Sequence, residues 1–220
     1  MTKKYYLYKT LRFIFLPLFK IIYRPKIINS DYIPKYGAAI IAGNHKHALD
    51  PILVDICTRR PVLTLAKKEL HDGKFGFLFK AVGTIPVDLH SPRNKAASDA
   101  ATKKLKEGNL INISPEAKRN YTDELLLPFK YGAVSMAKKT NVVIIPYSIT
   151  GDYKFFSKNL KIVFGKPISV FKYETEKANE ILFNCIKELL IENTDNHTLK
   201  TKIISEYKGV LSWDRSNNKN

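Results

Sequence analysis

Four short apolar runs constrain this chain most: Ala38–Ala42, Val62–Ala66, Leu110–Ile113 and Val142–Pro146. Each is four or five residues long and ends at Gly, Pro or a polar group. Hydrophobicity that is nearly continuous, broken here only by Thr64 and Asn112, marks strands buried on both faces, as in parallel sheets. The segments between them read as helices. Pro51 suits a first helical position, with a helix to about Thr58. A helical stretch covers roughly Lys68–Val82, interrupted by Gly73 and Gly76. Ser91-Pro92 reads as an N-cap and first turn, with a helix to Glu107 stopped by Gly108. Phe129–Lys139 is helical. Thr84–Val87 and Leu160–Phe164 add two strands, and a late helix places Ile181, Leu182, Cys185, Ile186, Leu189 and Leu190 on one face. Strands alternating with helices predict an α/β fold, a largely parallel central sheet flanked by helices.

With 220 residues, the chain suits one domain with short appendages. The expected division is an N-terminal arm over 1–28, one domain over 29–210 and a polar tail over 211–220. The formal net charge is +17 and the sequence pI about 9.7. Such an excess implies a polyanionic partner: nucleic acid, anionic lipid headgroups or a phosphorylated substrate. Cys57 and Cys185, far apart and without ligand-like spacing, exclude a disulfide scaffold and fit a reducing cytosol. Both read as apolar-face residues rather than nucleophiles.

The arm carries Lys3, Lys4, Lys9, Arg12, Lys20, Arg24 and Lys26, no acid, and an excess of Tyr, Phe, Leu and Ile. That mixture describes amphipathic helices lying in the headgroup boundary of an anionic membrane. Pro17 is expected to split the arm into two short helices. No run of 18 uncharged apolar residues is present, and charges interrupt the stretch too often for a cleavable leader. The expected location is the cytoplasmic face of a membrane, peripheral or monotopic.

The densest chemistry lies in Asn44-His-Lys-His-Ala-Leu-Asp50, directly after a buried strand. Open α/β sheets place their sites in such carboxyl-end loops. His45 and Asp50, five residues apart, can meet across a strand-to-helix turn as base and orienter. Such a histidine can activate a hydroxyl carried by the substrate, without an enzyme nucleophile. A metal-dependent hydrolase using His45, His47 and Asp50 is the rival chemistry. His71, His90 and His197 form no second cluster and read as surface residues. A basic nucleic-acid-binding protein is a second rival, although no helix-turn-helix, zinc-finger or RNP-like segment is present and the charge sits beside apolar aromatics.

Six blocks in order carry a resemblance. They are Tyr32-Ile-Pro34 with Gly37, the apolar strand and the Asn-His…Asp loop; Ala66-Lys-Lys-Glu-Leu70; Gly83-Thr-Ile-Pro-Val-Asp88; Ser114-Pro-Glu-Ala-Lys-Arg119; Phe129-Lys-Tyr-Gly-Ala133 with Ile144-Ile-Pro146; and Phe164-Gly-Lys-Pro-Ile168. Over roughly residues 30–170 the chain resembles the glycerolipid acyltransferases, in particular the bacterial 1-acylglycerol-3-phosphate type. The resemblance implies transfer of a fatty acyl group from acyl carrier protein or coenzyme A to a lysophospholipid hydroxyl. His45 is then the general base and Asp50 its support, with no cofactor, no metal and no acyl-enzyme. Backbone amides at the start of the Pro51 helix are candidate oxyanion donors. Lys67, Arg119 and Lys130 match positions suited to the substrate phosphate, and Glu116 matches the third block's glutamate, placed to hold Arg119 or bond glycerol hydroxyls. Asp88 is followed by Leu89 where the family has Arg, which leaves Arg93 as a stand-in. Ala117-Lys118 replaces the usual Gly-Thr, and His47 replaces a common Ser. A different lysophospholipid, glycerol phosphate, or a non-catalytic lipid-binding relative remain alternatives.

Overall fold

The computed structural model describes residues 3–74, 76–88 and 94–194. In chain order the elements are α1 (Lys3–Tyr23), β1 (Lys26–Ile28), β2 (Ala39–Gly43), α2 (Asp50–Asp55), β3 (Val62–Lys67), α3 (Lys68–Asp72), α4 (Gly76–Ala81), β4 (Ile85–Val87), α5 (Lys95–Lys106), β5 (Leu110–Ile113), α6 (Gly132–Thr140), β6 (Ile144–Thr150), β7 (Lys161–Phe164) and α7 (Thr175–Asn193). The strands form one sheet in the order β1-β7-β6-β2-β5-β3-β4. From β6 to β4 every neighbour is parallel, so five strands deliver their carboxyl ends to one edge. β7 runs antiparallel to β6, and β1 parallel to β7, so the last two strands on that side are reversed.

The side-chain alternation of β2 divides the core. Ile40 and Ala42 face a layer with Ala101, Leu105, Ala133, Met136 and Leu182 from α5, α6 and α7. Ala39 and Ile41 face a second layer with Leu53, Val54, Ile149, Phe164 and Phe19, built from α2, β6, β7 and α1. Both layers are close to solvent-free. Truncating a residue such as the fully buried Ile41 to Ala costs about 2–5 kcal/mol. The expected fold, a largely parallel sheet flanked by helices, is what the chain adopts.

Several local expectations need correction. α1 is one continuous helix with Pro17 inside it, not two. Pro17 is exposed, so the carbonyl that its missing N–H leaves without a helical donor, that of Phe13, lies on the outer face. The arm also does not end at residue 28 as a separate unit, since Lys26–Ile28 pair with Lys161–Val163 as a sheet edge. β6 runs through Pro146 to Thr150. The Pro146 carbonyl accepts from the Gly165 amide at 2.8 Å, just past the end of β7, so the proline costs only the one reciprocal bond to Gly165, and the pairing resumes where Ile144 and Ile168 exchange amide bonds. α6 begins at Gly132 rather than at Phe129. His71 is buried, not a surface residue, and its Nε2 lies 2.9 Å from the Thr84 hydroxyl. The Ser91-Pro92 helix start, His90, Arg93, His197 and the tail lie outside the described residues. Among the described residues, no helix is long and apolar enough to cross a membrane.

Candidate active site

The site grows from the carboxyl end of β2. Gly43 closes that strand against the buried ring of Tyr147, where a Cβ would sit 2.3 Å from two ring carbons. The strand therefore needs glycine there. Asn44 follows, buried, and its amide clasps β6: Nδ2 donates to the Ile149 carbonyl at 3.0 Å and Oδ1 accepts from the Ile149 amide at 2.7 Å. The chain then leaves the sheet as a loop that bends back into α2, with Pro51 in its first turn.

Within this loop His45 and Asp50 meet. The His45 Nδ1 lies 2.8 Å from the Asp50 Oδ2, and the carboxylate side chain is 2% exposed against 23% for the imidazole. The same Oδ2 accepts from the amides of Lys46 and His47, each at 2.8 Å. Oδ1 accepts from the Tyr153 hydroxyl at 2.7 Å. Because the partner of Nδ1 is a carboxylate, Nδ1 carries the proton, and Nε2 is the ring nitrogen left to accept one.

The loop after β5 grips His45 from the other side. Glu116 Oε1 accepts from the His45 amide at 2.9 Å, and the Asn120 amide donates to the His45 carbonyl at 2.9 Å. Glu116 Oε2 accepts from the Leu127 amide at 2.8 Å. Burial pushes the Glu116 carboxyl above its ordinary value, against the pull of those two amides and of His45. Glu116 is 3% exposed, and both of its oxygens are engaged on main-chain donors that set the position of His45.

Three of the expected cations lie at the same edge of the sheet as His45. Lys67 is exposed at the end of β3, two strands from β2. Arg119, also exposed, lies in the loop that holds His45, with its guanidinium carbon 5.3 Å from the Tyr121 ring centre. Lys130 is exposed and its amide donates to the Pro115 carbonyl at 2.8 Å, tying it to the same loop. Arg93 falls outside the described residues. Lys67 and the two loop cations thus share one sheet edge with His45.

The start of the Pro51 helix does not supply oxyanion donors as expected. Pro51 has no N–H, the Asp50 amide donates to the His47 carbonyl, and the Ile52 and Leu53 amides both donate to the Leu49 carbonyl. Cys57 stays a thiol, since burial raises it far above its ordinary range, and it donates to the Leu53 carbonyl at 3.0 Å. Among the described residues, no group of three or more His, Cys, Asp or Glu side chains is gathered as metal ligands would be. Sequence reasoning missed Tyr153, because nothing local links it to a carboxylate 103 positions earlier.

The chain is similar to known proteins. A 1-acyl-sn-glycerol-3-phosphate acyltransferase of Borreliella burgdorferi is 35% identical over 147 residues, covering 66% of this chain and 58% of the relative. One of Helicobacter pylori is 30% identical over 141 residues, 63% of this chain and 56% of the relative. The chain therefore spans less than two thirds of the length of these relatives. A crystal structure of the 1-acyl-sn-glycerophosphate acyltransferase of Thermotoga maritima, 21% identical, matches the fold with a TM-score of 0.69 over 86% of this chain and 80% of that one. A family model described as Acyltransferase matches residues 24–150. That stretch is more than half the chain and takes in His45, Asp50 and the Glu116 loop, so the chain belongs to the acyltransferase family.

Proposed function

We propose that the protein transfers a fatty acyl group from an acyl thioester, on acyl carrier protein or coenzyme A, to the free hydroxyl of 1-acylglycerol-3-phosphate. The observation that carries this reading is the 2.8 Å contact between His45 Nδ1 and a buried Asp50, at the carboxyl end of a central parallel strand in a chain of this family. The two curated relatives named above bear the name of that activity.

His45 Nε2 removes the hydroxyl proton as the oxygen attacks the thioester carbonyl carbon. Asp50 stabilises the imidazolium that forms. The tetrahedral adduct collapses with cleavage of the carbon–sulfur bond, and the imidazolium returns its proton to the departing thiolate. Phosphatidate and a thiol leave, and no bond to the enzyme is made. Lys67, Arg119 and Lys130, with Arg93, hold the phosphate dianion through charge-assisted bonds, for which Arg is suited by its paired donors.

The acceptor is a lipid, and α1 supports docking on an anionic bilayer. Its inner side is fixed by Arg12, which bonds the Asp55 carboxylate at 2.7 Å and main-chain carbonyls of Asp55, Thr58 and Arg60, and by the buried Phe19. Its outer side exposes Phe13, Ile14, Phe15, Leu18 and Ile21, continuous with exposed Phe155 and Phe156. Lys20, Arg24, Lys154 and Lys158 are exposed around this face. That pattern suits an interface in which rings enter the headgroup layer and cations meet lipid phosphate.

The deciding measurement is turnover of 1-acylglycerol-3-phosphate by the purified protein with either thioester, wild type against His45→Ala. A loss of at least ~10²-fold is expected for the variant, the scale of general-base catalysis. Absence of wild-type turnover with both donors, or equal turnover in the two proteins, overturns the proposal. Loss of activity on chelation, with recovery on adding zinc or manganese, points to the metal-dependent class instead.

A further inference from the structure

The Asp50 carboxylate has four hydrogen bonds, and three converge on Oδ2 from its own loop. The fourth comes from elsewhere. Tyr153, in the loop that follows β6, donates its hydroxyl to Oδ1 at 2.7 Å. That single bond opposes rotation of the carboxylate about its Cβ–Cγ axis, which would carry Oδ2 away from the imidazole. Burial and the negative charge of Asp50 raise the Tyr153 hydroxyl far above its ordinary range, so it remains a donor.

The ring that carries this hydroxyl is itself fixed on three sides. It stacks on His47 with centroids 4.4 Å apart and 23° between the planes. It meets Tyr23 edge-on at 5.7 Å and Phe19 edge-on at 6.4 Å, both from α1. The loop conformation is also set. Gly151 has φ +76, a Cβ there would fall 1.8 Å from the Asn159 carbonyl oxygen, and the Lys46 ammonium donates to the Gly151 carbonyl. The loop continues outward to Phe155 and Phe156, whose amide at 156 donates to the Ile22 carbonyl at 2.6 Å. One side chain thus touches the apolar arm with its ring and the carboxylate of the reacting pair with its hydroxyl.

We propose that Tyr153 is a positioning residue for acyl transfer: its hydroxyl holds the Asp50 carboxylate in register with His45, and its ring braces that bond against helix α1. The role rests on the reading of His45 as the base. Because Tyr153 acts through Asp50 and not on the lipid, its removal lowers kcat and leaves substrate binding in place. Small displacements of a base from its productive geometry have large effects on rate.

The test compares wild type, Tyr153→Phe and His45→Ala as full chains, with 1-acylglycerol-3-phosphate and the thioester that wild type accepts. The phenylalanine keeps the three ring contacts and deletes only the hydroxyl. The expected result is a fall of roughly tenfold in kcat with KM within about twofold. The low-field proton resonance of His45 Nδ1–H is expected to shift with it, since its acceptor has lost a competing donor. Wild-type kcat in Tyr153→Phe overturns the proposal, and so does a reduced kcat with the resonance unmoved, which assigns the loss to packing. Should Tyr153→Phe not fold, 3-fluorotyrosine at 153 keeps the shape and donates more strongly. It is then expected to move the resonance in the opposite sense, and an unmoved signal overturns the proposal. Turnover retained in His45→Ala sinks the reading of the base itself, whereas an inactive His45→Ala beside an unaffected Tyr153→Phe sinks only the role of the tyrosine.

Discussion

The loop after β2 and the cations at the same sheet edge are built on opposite plans. Asp50 is 1% exposed and accepts from four donors, and the main-chain N–H and C=O of His45 are both bonded to the loop after β5. Lys67, Arg119 and Lys130 share that sheet edge but are exposed. On the proposed function, the difference follows from what each would do. A base must stand within hydrogen-bond reach of one proton, and its geometry is best fixed before the substrate arrives. A cation that meets a phosphate dianion gains from charge over several ångströms and can follow the headgroup into place. Exposed charge is also screened by salt, so the cationic part should respond to ionic strength far more than the reacting pair does.

The largest expected effect breaks the fixed part. Asp50→Asn keeps the shape but removes the negative charge that stabilises an imidazolium at His45, so kcat should fall by at least ~10²-fold, with a concurrent loss of about 1–3 kcal/mol in urea unfolding as charge-assisted bonds become neutral ones. An Asp50→Asn protein with wild-type kcat would remove the contrast altogether. Next is Glu116→Gln, whose one remaining carbonyl oxygen cannot serve both the His45 and Leu127 amides. A stability loss of about 1–3 kcal/mol is expected, with kcat falling more than KM rises. The pH dependence sharpens this test. Burial raises the Glu116 carboxyl above its ordinary value of 4.5, so the folded state binds that proton more tightly than the unfolded chain. Stability from this group is present below 4.5 and lost as pH rises through the raised value, and Glu116→Gln should flatten that slope in unfolding measured from acid to neutral pH.

Weaker effects belong to the exposed part. Arg119→Ala should raise the KM for 1-acylglycerol-3-phosphate roughly tenfold while kcat stays within about threefold, with the difference from wild type shrinking at high salt. A fall confined to kcat would place Arg119 with the reacting pair instead. The smallest expected change concerns Ala117, which has φ 59. A β-carbon is strained in this left-handed conformation, so Ala117→Gly should stabilise the fold by about 1 kcal/mol in thermal or chemical unfolding, with little change in kcat.

Legibility in the sequence tracked how local each interaction is. β2, β3 and β5 could be read because strands in the middle of a parallel sheet leave largely apolar runs, interrupted here only by Thr64 and Asn112 before the strand ends. The His45–Asp50 contact could be read because five residues span a single turn. β1 could not: three residues, Lys26-Ile-Ile28, show no periodicity, and their strand identity comes from pairing with a segment 135 positions later. Pro146 suggested a strand end because the rule against proline in a sheet interior says nothing about a position where the neighbouring strand has ended and only one reciprocal bond is forgone. The reversal of β7 leaves no mark in composition, since its four residues would be equally apolar in either direction. Glu116 was visible as a motif position, but its partners, two main-chain amides, carry no side-chain signature.

The reversed sheet edge also sets an order of assembly. β1 is made before its pairing partner, residues 161–163, which is translated on the order of ten seconds later at ordinary elongation speeds. In that interval α1 has no Tyr153 ring to rest on and no Phe156 amide to close on Ile22. During that time the apolar side of α1 that later rests on the loop after β6 is left open to other partners.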